Sequence, residues 1–325
     1  SSAVNPIGLG CMSLSHAYGV PPARAGAVRL LNAALDLGYD HLDTAALYGF
    51  GANETLAGEA IGHRRDEYFL ASKCGMTGVD GKRVIDGRPE TLRNTIDEAL
   101  ARLRTDHIDL YYLHRWDKSV AVEESVGELA RMVEAGKVGA IGLSEVSAAT
   151  LRKAHAVHPI AAVQNEYSLW SRNVELGILE ATRELGAALV AFSPVARGFL
   201  AGGVPSLEIL PEKDIRRAMP RFQPDNFTRN LRLLSQVREI GATLGLPPAQ
   251  LCLQWLLGRG DHVLPIPGTT SLAHLAQNFA TPVTPLPADV IAQLDAVFAA
   301  ENIAGHRYPP STLPEIDTED FMPVA

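Results

Sequence analysis

The chain is predicted to fold as an α/β protein, a (β/α)8 TIM barrel with long loops at its carboxyl-terminal face and a C-terminal tail. Three observations carry that expectation. Apolar, β-prone runs recur eight times and alternate with amphipathic stretches, an order that predicts parallel strand pairing. No composition break or linker divides the 325 residues, so a single domain over 1–325 is expected. Ionisable groups stand at the ends of successive strand-like runs, and barrels of parallel strands gather such groups at one mouth.

Strands are expected near 6–11, 40–44, 68–73, 107–113, 139–143, 161–165, 188–193 and 262–267. The stretches 24–38, 88–104, 121–137, 147–158 and 173–186 repeat apolar residues at spacings of three and four, and several end on glycine. Pro89 opens the second of them and acidic groups occupy its first half, as a helix start favours. Two segments break the alternation: the Gly-, Pro- and Arg-rich loop 200–226 and the tail 302–325. A loop that long in a compact domain reads as a functional flap. The tail either covers a pocket or wraps the barrel.

Composition excludes several classes of function. With 37 acidic against 29 basic residues the formal net charge is -8, which opposes nucleic-acid or anionic-membrane binding. No apolar run is long enough to span a bilayer, and SSAVNPIGLG lacks the features of a secretory signal. Cys11, Cys74 and Cys252 are far apart and form no CxxC, so neither a disulfide framework nor a zinc cage is expected. A cytoplasmic location fits best. The pair His155 and His158, beside Pro159, is read as structural, and no metal is expected.

The chemistry-bearing residues are Asp43 and Tyr48 in HLDTAALYG, Lys73 in YFLASKCG and His114 in HIDLYYLHR. Singly, each has a plain structural reading: a turn aspartate, a half-buried aromatic, a strand-exit lysine, a strand-end histidine. On consecutive strand ends they suit moving a proton to or from a carbonyl or alcohol oxygen. A tyrosine near pKa 10 is a weak acid, and the Lys73 ammonium is expected to lower that value. Asp43 would hold and charge-balance the lysine, and His114 would donate to the substrate oxygen.

The segments GLGCMSLS, LDTAALYGFGANE, LASKCG, IDLYYLHRWD, EAGKVGAIGLSEVS, VQNEYSLWSR, FSPVARGFLAGG and IPGTTSLAHLAQN resemble those of the aldo-keto reductases, in family order. The resemblance covers most of residues 5–280, and RYPPSTLPEID is similar to the tail of the long-chain bacterial and fungal branch. It implies a barrel that binds NADP(H) extended, without a Rossmann fold, and a tetrad of Asp43, Tyr48, Lys73 and His114. Tyr48 would be the general acid when an aldehyde or ketone is reduced and the base when an alcohol is oxidised. The implied type is an NADP-dependent alcohol dehydrogenase or aldehyde reductase.

By the same resemblance, Gly10, Cys11, Met12 and Asp43 lie near the nicotinamide, whose carboxamide Ser144 and Gln164 would hold. Phe192 stands where the family has a stacking tyrosine and keeps the ring face. Ser193, Val195, Arg197 and Gly198 match the pyrophosphate loop. Gly268, Thr269, Thr270, His274, Gln277 and Asn278 match the adenosine site, with a helix start near Ser271. Relatives often carry Lys or Arg there to meet the 2′-phosphate, and this chain does not, so NADP(H) is favoured while NAD(H) stays possible. Arg216, Arg217 and Arg221 are candidates to supply the charge. The family's usual Asn after Ser144 is Glu145 here, which is given no carboxamide contact.

GLGCMS lacks the third glycine of a dinucleotide fingerprint and no convincing helix follows it. Phe50, Trp116 and Trp170, with Tyr48 and His114, are candidate walls of a substrate pocket. The partner is a small carbonyl or alcohol; monomer and homo-oligomer both remain open. Two other functions are weighed: a non-catalytic, cofactor-binding regulatory subunit, and a barrel lyase using Lys73 as a Schiff-base amine.

Overall fold

Short apolar strands alternating with helices can bury both faces only by pairing in parallel beneath a helical layer, and the computed structural model, which describes residues 4–80 and 82–321, shows this arrangement. The strands are β1 Leu9–Gly10, β2 His41–Asp43, β3 Phe69–Cys74, β4 Met76–Val79, β5 Lys82–Ile85, β6 Ile108–Leu113, β7 Val138–Ser144, β8 Ile160–Glu166, β9 Ala188–Phe192 and β10 Val263–Pro265. Eight of them form one sheet in the order β1-β2-β3-β6-β7-β8-β9-β10, all neighbours parallel. Gly8 N–H donates to Pro265 O at 3.0 Å and Gly10 N–H to Pro267 O at 3.3 Å. These bonds join the first and last strands, so the sheet curls back on itself as in a TIM-like barrel. All eight expected strands are found, most of them trimmed at the ends. The β4–β5 hairpin, which follows β3, was not expected from the sequence.

Alternation along the strands decides which residues fill the barrel. Phe69 and Ala71, Leu110 and Tyr112, Ala162, Ala188 and Val190, and Leu264 and Ile266 share one interior cluster. Their neighbours Leu70, Tyr111, Val163 and Leu189 belong to the larger cluster between sheet and helices. Two residues further along each strand, the interior parity reaches Lys73, His114, Gln164 and Phe192. The polar residues are therefore the last interior layer, at the mouth. Gly142 makes room for this packing, since a Cβ there would lie 2.5 Å from the Tyr112 ring.

The helices are α1 Arg24–Leu37, α2 Ala52–Ile61, α3 Pro89–Leu103, α4 Val122–Glu134, α5 Ala148–Val157, α6 Ile178–Leu185, α7 Pro224–Leu244, α8 Pro248–Leu257, α9 Leu272–Phe279 and α10 Ala288–Val297. The first four of the five amphipathic stretches become α1, α3, α4 and α5. The stretch 173–186 is interrupted: a 3₁₀ turn at Asn173–Leu176 precedes α6, with Gly177 between them. A Cβ on Gly177 would come within 2.6 Å of the Glu319 carboxylate, so the tail passes close here. The 200–226 loop is built from 3₁₀ turns at Leu207–Ile209, Ile215–Ala218 and Pro220–Phe222, and Pro224 starts α7 inside the expected loop.

The tail is fastened by buried charge; its last four residues, 322–325, lie outside the described residues. Arg307 donates to both oxygens of Glu145, at 3.1 and 2.8 Å, and to Glu166 at 3.4 Å. Thr318 Oγ1 donates to Glu145 at 2.8 Å, and Asp317 N–H to Glu145 O at 2.9 Å. Asp317 and Glu319 accept from the Ser147 and Ala148 amides, placing carboxylates at the positive end of α5. Burial disfavours ionised Glu145, yet Arg307 holds its pKa down to about 2. Arg307→Met leaves that carboxylate buried and unpaired, and is expected to cost about 3–5 kcal/mol in urea unfolding. The contribution is present above the usual glutamate value of 4.5 and is lost as pH falls toward about 2. Wild type and variant should therefore converge in stability through that window, and equal stability at pH 7 would refute the clamp.

Candidate active site

Lys73 sits at the centre of the mouth, on β3, with its side chain fully buried. Its ammonium donates to Asp43 Oδ1, to Thr44 O at 2.8 Å and to the Tyr48 hydroxyl at 3.1 Å. An ammonium has three donors, and these acceptors use all of them. Burial pushes the lysine pKa down, but Asp43 and Tyr48 outweigh it and hold the value above the ordinary one. Asp43, ending β2, is fixed on its other oxygen by Gln164 Nε2 at 2.7 Å.

The Tyr48 hydroxyl accepts from Lys73, so its own proton is left for another acceptor. The ring is buried, with its centroid 5.8 Å from that of His114 and nearly perpendicular to it. Lys73 was expected to bring this phenol below its usual pKa. The net direction is upward: burial raises it, and the charge and hydrogen bond of Lys73 only reduce the rise. His114 is driven well below the usual histidine value by burial, then by Lys73 and Arg115. The mouth thus presents a neutral phenol and a neutral imidazole over a buried ion pair.

A cavity of about 730 Å³ opens from this cluster. Gly10, Met12, Ser144, Gln164, Phe192, Ser193, Val195, Arg197 and Gly198 line it, followed by Gly268, Thr269, Thr270 and His274. The segment after β9 is held in uncommon backbone: Ser193, Ala196 and Arg197 have φ of 51°, 54° and 57°. Strain of that kind persists where surroundings over-determine it, commonly at ligand clamps. Ser271 caps α9, its hydroxyl accepting from His274 N–H at 3.4 Å. Tyr308, Pro309 and Thr312 bring the tail to the rim, so it both wraps the barrel and covers the cavity.

Other expected residues stand outside the cavity lining. Cys11 is buried behind Gly10, Asn278 is buried in α9, and Gln277 uses its carbonyl to accept from Gln250. Trp170 is stacked on Phe199 in the core, Trp116 donates to Val120 O at 2.9 Å, and Phe50 is half exposed. None of these three aromatics is a wall of the cavity. Among the loop arginines only Arg216 lines it; Arg217 is tied to Leu210 O and Arg221 is buried against Trp170. The sequence reading missed Arg83, Arg115, His16 and Tyr308. Only Arg115, beside His114 in YYLHR, had a visible signal. Cys11 and Cys252 are unpaired, and burial pushes their thiols up to about 12, away from reactivity.

The family model for the aldo/keto reductase family matches residues 6–299. The chain belongs to that family. Solved structures of other members share the fold over almost the whole chain. A glycerol dehydrogenase from Gluconobacter oxydans is 26% identical with a TM-score of 0.85, covering 95% of each chain. The holo form of an aldo-keto reductase from Bacillus halodurans is 28% identical, with a TM-score of 0.75, covering 91% of this chain and 93% of its own. An aldo/keto reductase from Klebsiella pneumoniae, solved with NADP and acetate, is 25% identical with a TM-score of 0.72, covering 98% and 96%. This aldo/keto reductase is accordingly an oxidoreductase of a family that uses nicotinamide cofactors on small carbonyl compounds. Among its described residues no helix is long and apolar enough to cross a membrane.

Proposed function

We propose that the protein reduces an aldehyde or ketone to an alcohol, and runs the reverse reaction, with NADP(H) as favoured coenzyme and Tyr48 as general acid and base. The supporting observation is the use of all three Lys73 donors, which makes Tyr48 an acceptor toward the lysine and a donor toward the cavity. The dinucleotide, when bound, supplies a hydride to the carbonyl carbon. Tyr48 gives its proton to the oxygen as negative charge develops there, and neutral His114 offers a second donor already in place. Lys73 stabilises the phenolate left behind, and Asp43 keeps Lys73 charged.

The lining residues fit such a cofactor. Ser144, Gln164 and Phe192 stand beside the tetrad for the nicotinamide, and Ser193, Val195, Arg197 and Gly198 for the pyrophosphate. Gly268, Thr269, Thr270 and His274, at the start of α9, stand for the adenosine end, where free helix amides favour an anion. Asp43 is the sole carboxylate lining the cavity among the described residues, and Lys73 balances it. The raised pKa of Lys73 argues against Schiff-base chemistry, which needs a neutral amine. Following NADPH and NADH consumption over a panel of aldehydes, ketones and sugars tests the proposal. Tight coenzyme binding without turnover of any of them would favour a regulatory subunit instead.

The adenosine end has hydroxyls and His274 but no lysine or arginine in 266–278. NADPH is therefore expected to be preferred only modestly, with NADH measurably active. Ser271 is occupied as a helix cap, so the informative substitution is His274→Arg. A charge-assisted bond to the 2′-phosphate should tighten NADPH about tenfold, roughly 1.4 kcal/mol, with little effect on NADH. Paired titrations of both coenzymes decide this. Strong wild-type discrimination against NADH would point to Arg216 as the missing cation.

A further inference from the structure

In a chain of net charge -8, the cavity is lined, among the described residues, by Arg83, Arg115, Arg197 and Arg216 and by a single carboxylate already paired with Lys73. Three of the four arginines have ion-pair partners. Arg83 pairs with Glu315 of the tail, Arg197 with Glu166 at 2.9 Å, and Arg216 with Asp214 at 2.7 Å. Arg115 differs. Its Nη1 donates to His114 O at 2.7 Å and to Ser144 Oγ at 3.2 Å, while its Nε is buried with no hydrogen-bond partner among the described residues. Among the described residues no carboxylate lies within ion-pair distance of it. The nearby Glu145 feels the Arg115 charge without bonding to it, because Arg307, Thr318 and the Glu166 amide already occupy its two oxygens.

Arg115 follows His114 directly at the end of β6, and its charge acts on both Tyr48 and His114. Its bonds to His114 O and Ser144 Oγ place this cation at the reacting end of the cavity. A partly buried guanidinium with free donors binds planar or tetrahedral oxyanions through charge-assisted bonds. Resting on the carbonyl-reductase reading above, we propose that the substrate carries an anionic group, a carboxylate or a phosphate, and that Arg115 binds it. The carbonyl would then be positioned between Tyr48 and His114 by an anchor at its other end. Apolar Leu47 and Met76, which line the cavity and pack in one cluster with Tyr48, would flank the intervening carbon skeleton.

Matched pairs test this on the whole protein: 4-carboxybenzaldehyde against its methyl ester, and glyceraldehyde 3-phosphate against glyceraldehyde. Wild type should prefer an anionic member by about tenfold or more in kcat/KM, and the pair showing the preference identifies the source of the anion. In Arg115→Met the anionic-to-neutral ratio should collapse toward one, a loss of about 10–100-fold carried mainly by KM. A purely structural role would lower both members of a pair alike and leave the ratio standing. Should the methionine variant not fold, Arg115→Gln keeps a donor for Ser144 and tests the same ratio. Equal kcat/KM for anionic and neutral members in wild type would overturn the proposal. No turnover of any aldehyde would sink the reductase reading, and calorimetry then decides the anion site alone. Binding of benzoate or inorganic phosphate that Arg115→Met abolishes would support the site, and no binding of either to wild type would overturn it.

Discussion

Tyr48→Phe is expected to reduce carbonyl reduction by about 10²–10⁴-fold, the usual worth of a positioned proton donor, while coenzyme binding is retained. The substitution removes one oxygen and leaves the ring. The perpendicular contact with His114 and the Lys73 ammonium, 4.8 Å from the ring centroid, need only that ring. Lost with the oxygen are the proton donor and one of three acceptors for Lys73. Burial keeps the phenol neutral at assay pH, so in wild type the proton is present when the substrate oxygen needs it. His114 does not replace it, because its own pKa lies well below the usual value and a neutral imidazole is a much poorer acid. The effect should fall on kcat, with coenzyme affinity from fluorescence titration near that of wild type. Turnover within a few-fold of wild type would remove Tyr48 from the role of acid.

The positions of the tetrad were legible because strand alternation carries each interior run to the mouth: Phe69, Ala71, Lys73 on β3 and Leu110, Tyr112, His114 beyond β6. Their electrostatics were less legible. Sequence placed an ammonium beside Tyr48 correctly, but the sign of the phenol's shift depends on how completely the ring is buried. The helix α2 is not among the amphipathic stretches because its polar residues Asn53 and Glu54 are buried. Asn53 bonds Thr44 and Cys11 O, and Glu54 bonds Ser72 and Arg102, which blurs the apolar stripe that marks a surface helix. Glu145 could be read as departing from the carboxamide role, yet its real partner, Arg307, lies 162 residues away. Phe50, Trp116 and Trp170 show the reverse failure, since large aromatics near a strand end are as readily core or surface as pocket wall. Arg115 was visible beside His114, but its lack of an ion-pair partner among the described residues is a property of the folded chain.

Lys73→Met should suppress activity in both directions and raise the apparent pKa that governs alcohol oxidation. Alcohol oxidation needs Tyr48 as phenolate. Burial already raises the phenol's pKa, and the Lys73 charge and hydrogen bond are the main influences opposing that rise. Removing them moves the pKa further up, so the rising limb of the oxidation profile shifts to higher pH and the rate near neutrality falls. Reduction needs the phenol protonated; it loses rate because the phenolate left after proton transfer has no adjacent cation, a deficit of the same order as losing a positioned acid, about 10²–10⁴-fold. The variant also leaves Asp43 buried with Gln164 as its remaining side-chain donor, which is expected to cost about 3–5 kcal/mol of stability. Lys73→Met combined with Asp43→Asn removes both charges and should recover much of that stability without recovering the rate. The pair of variants therefore separates electrostatic support of Tyr48 from simple loss of folding. An oxidation profile unmoved along the pH axis, at wild-type rate, would mean that Tyr48 titrates independently of Lys73.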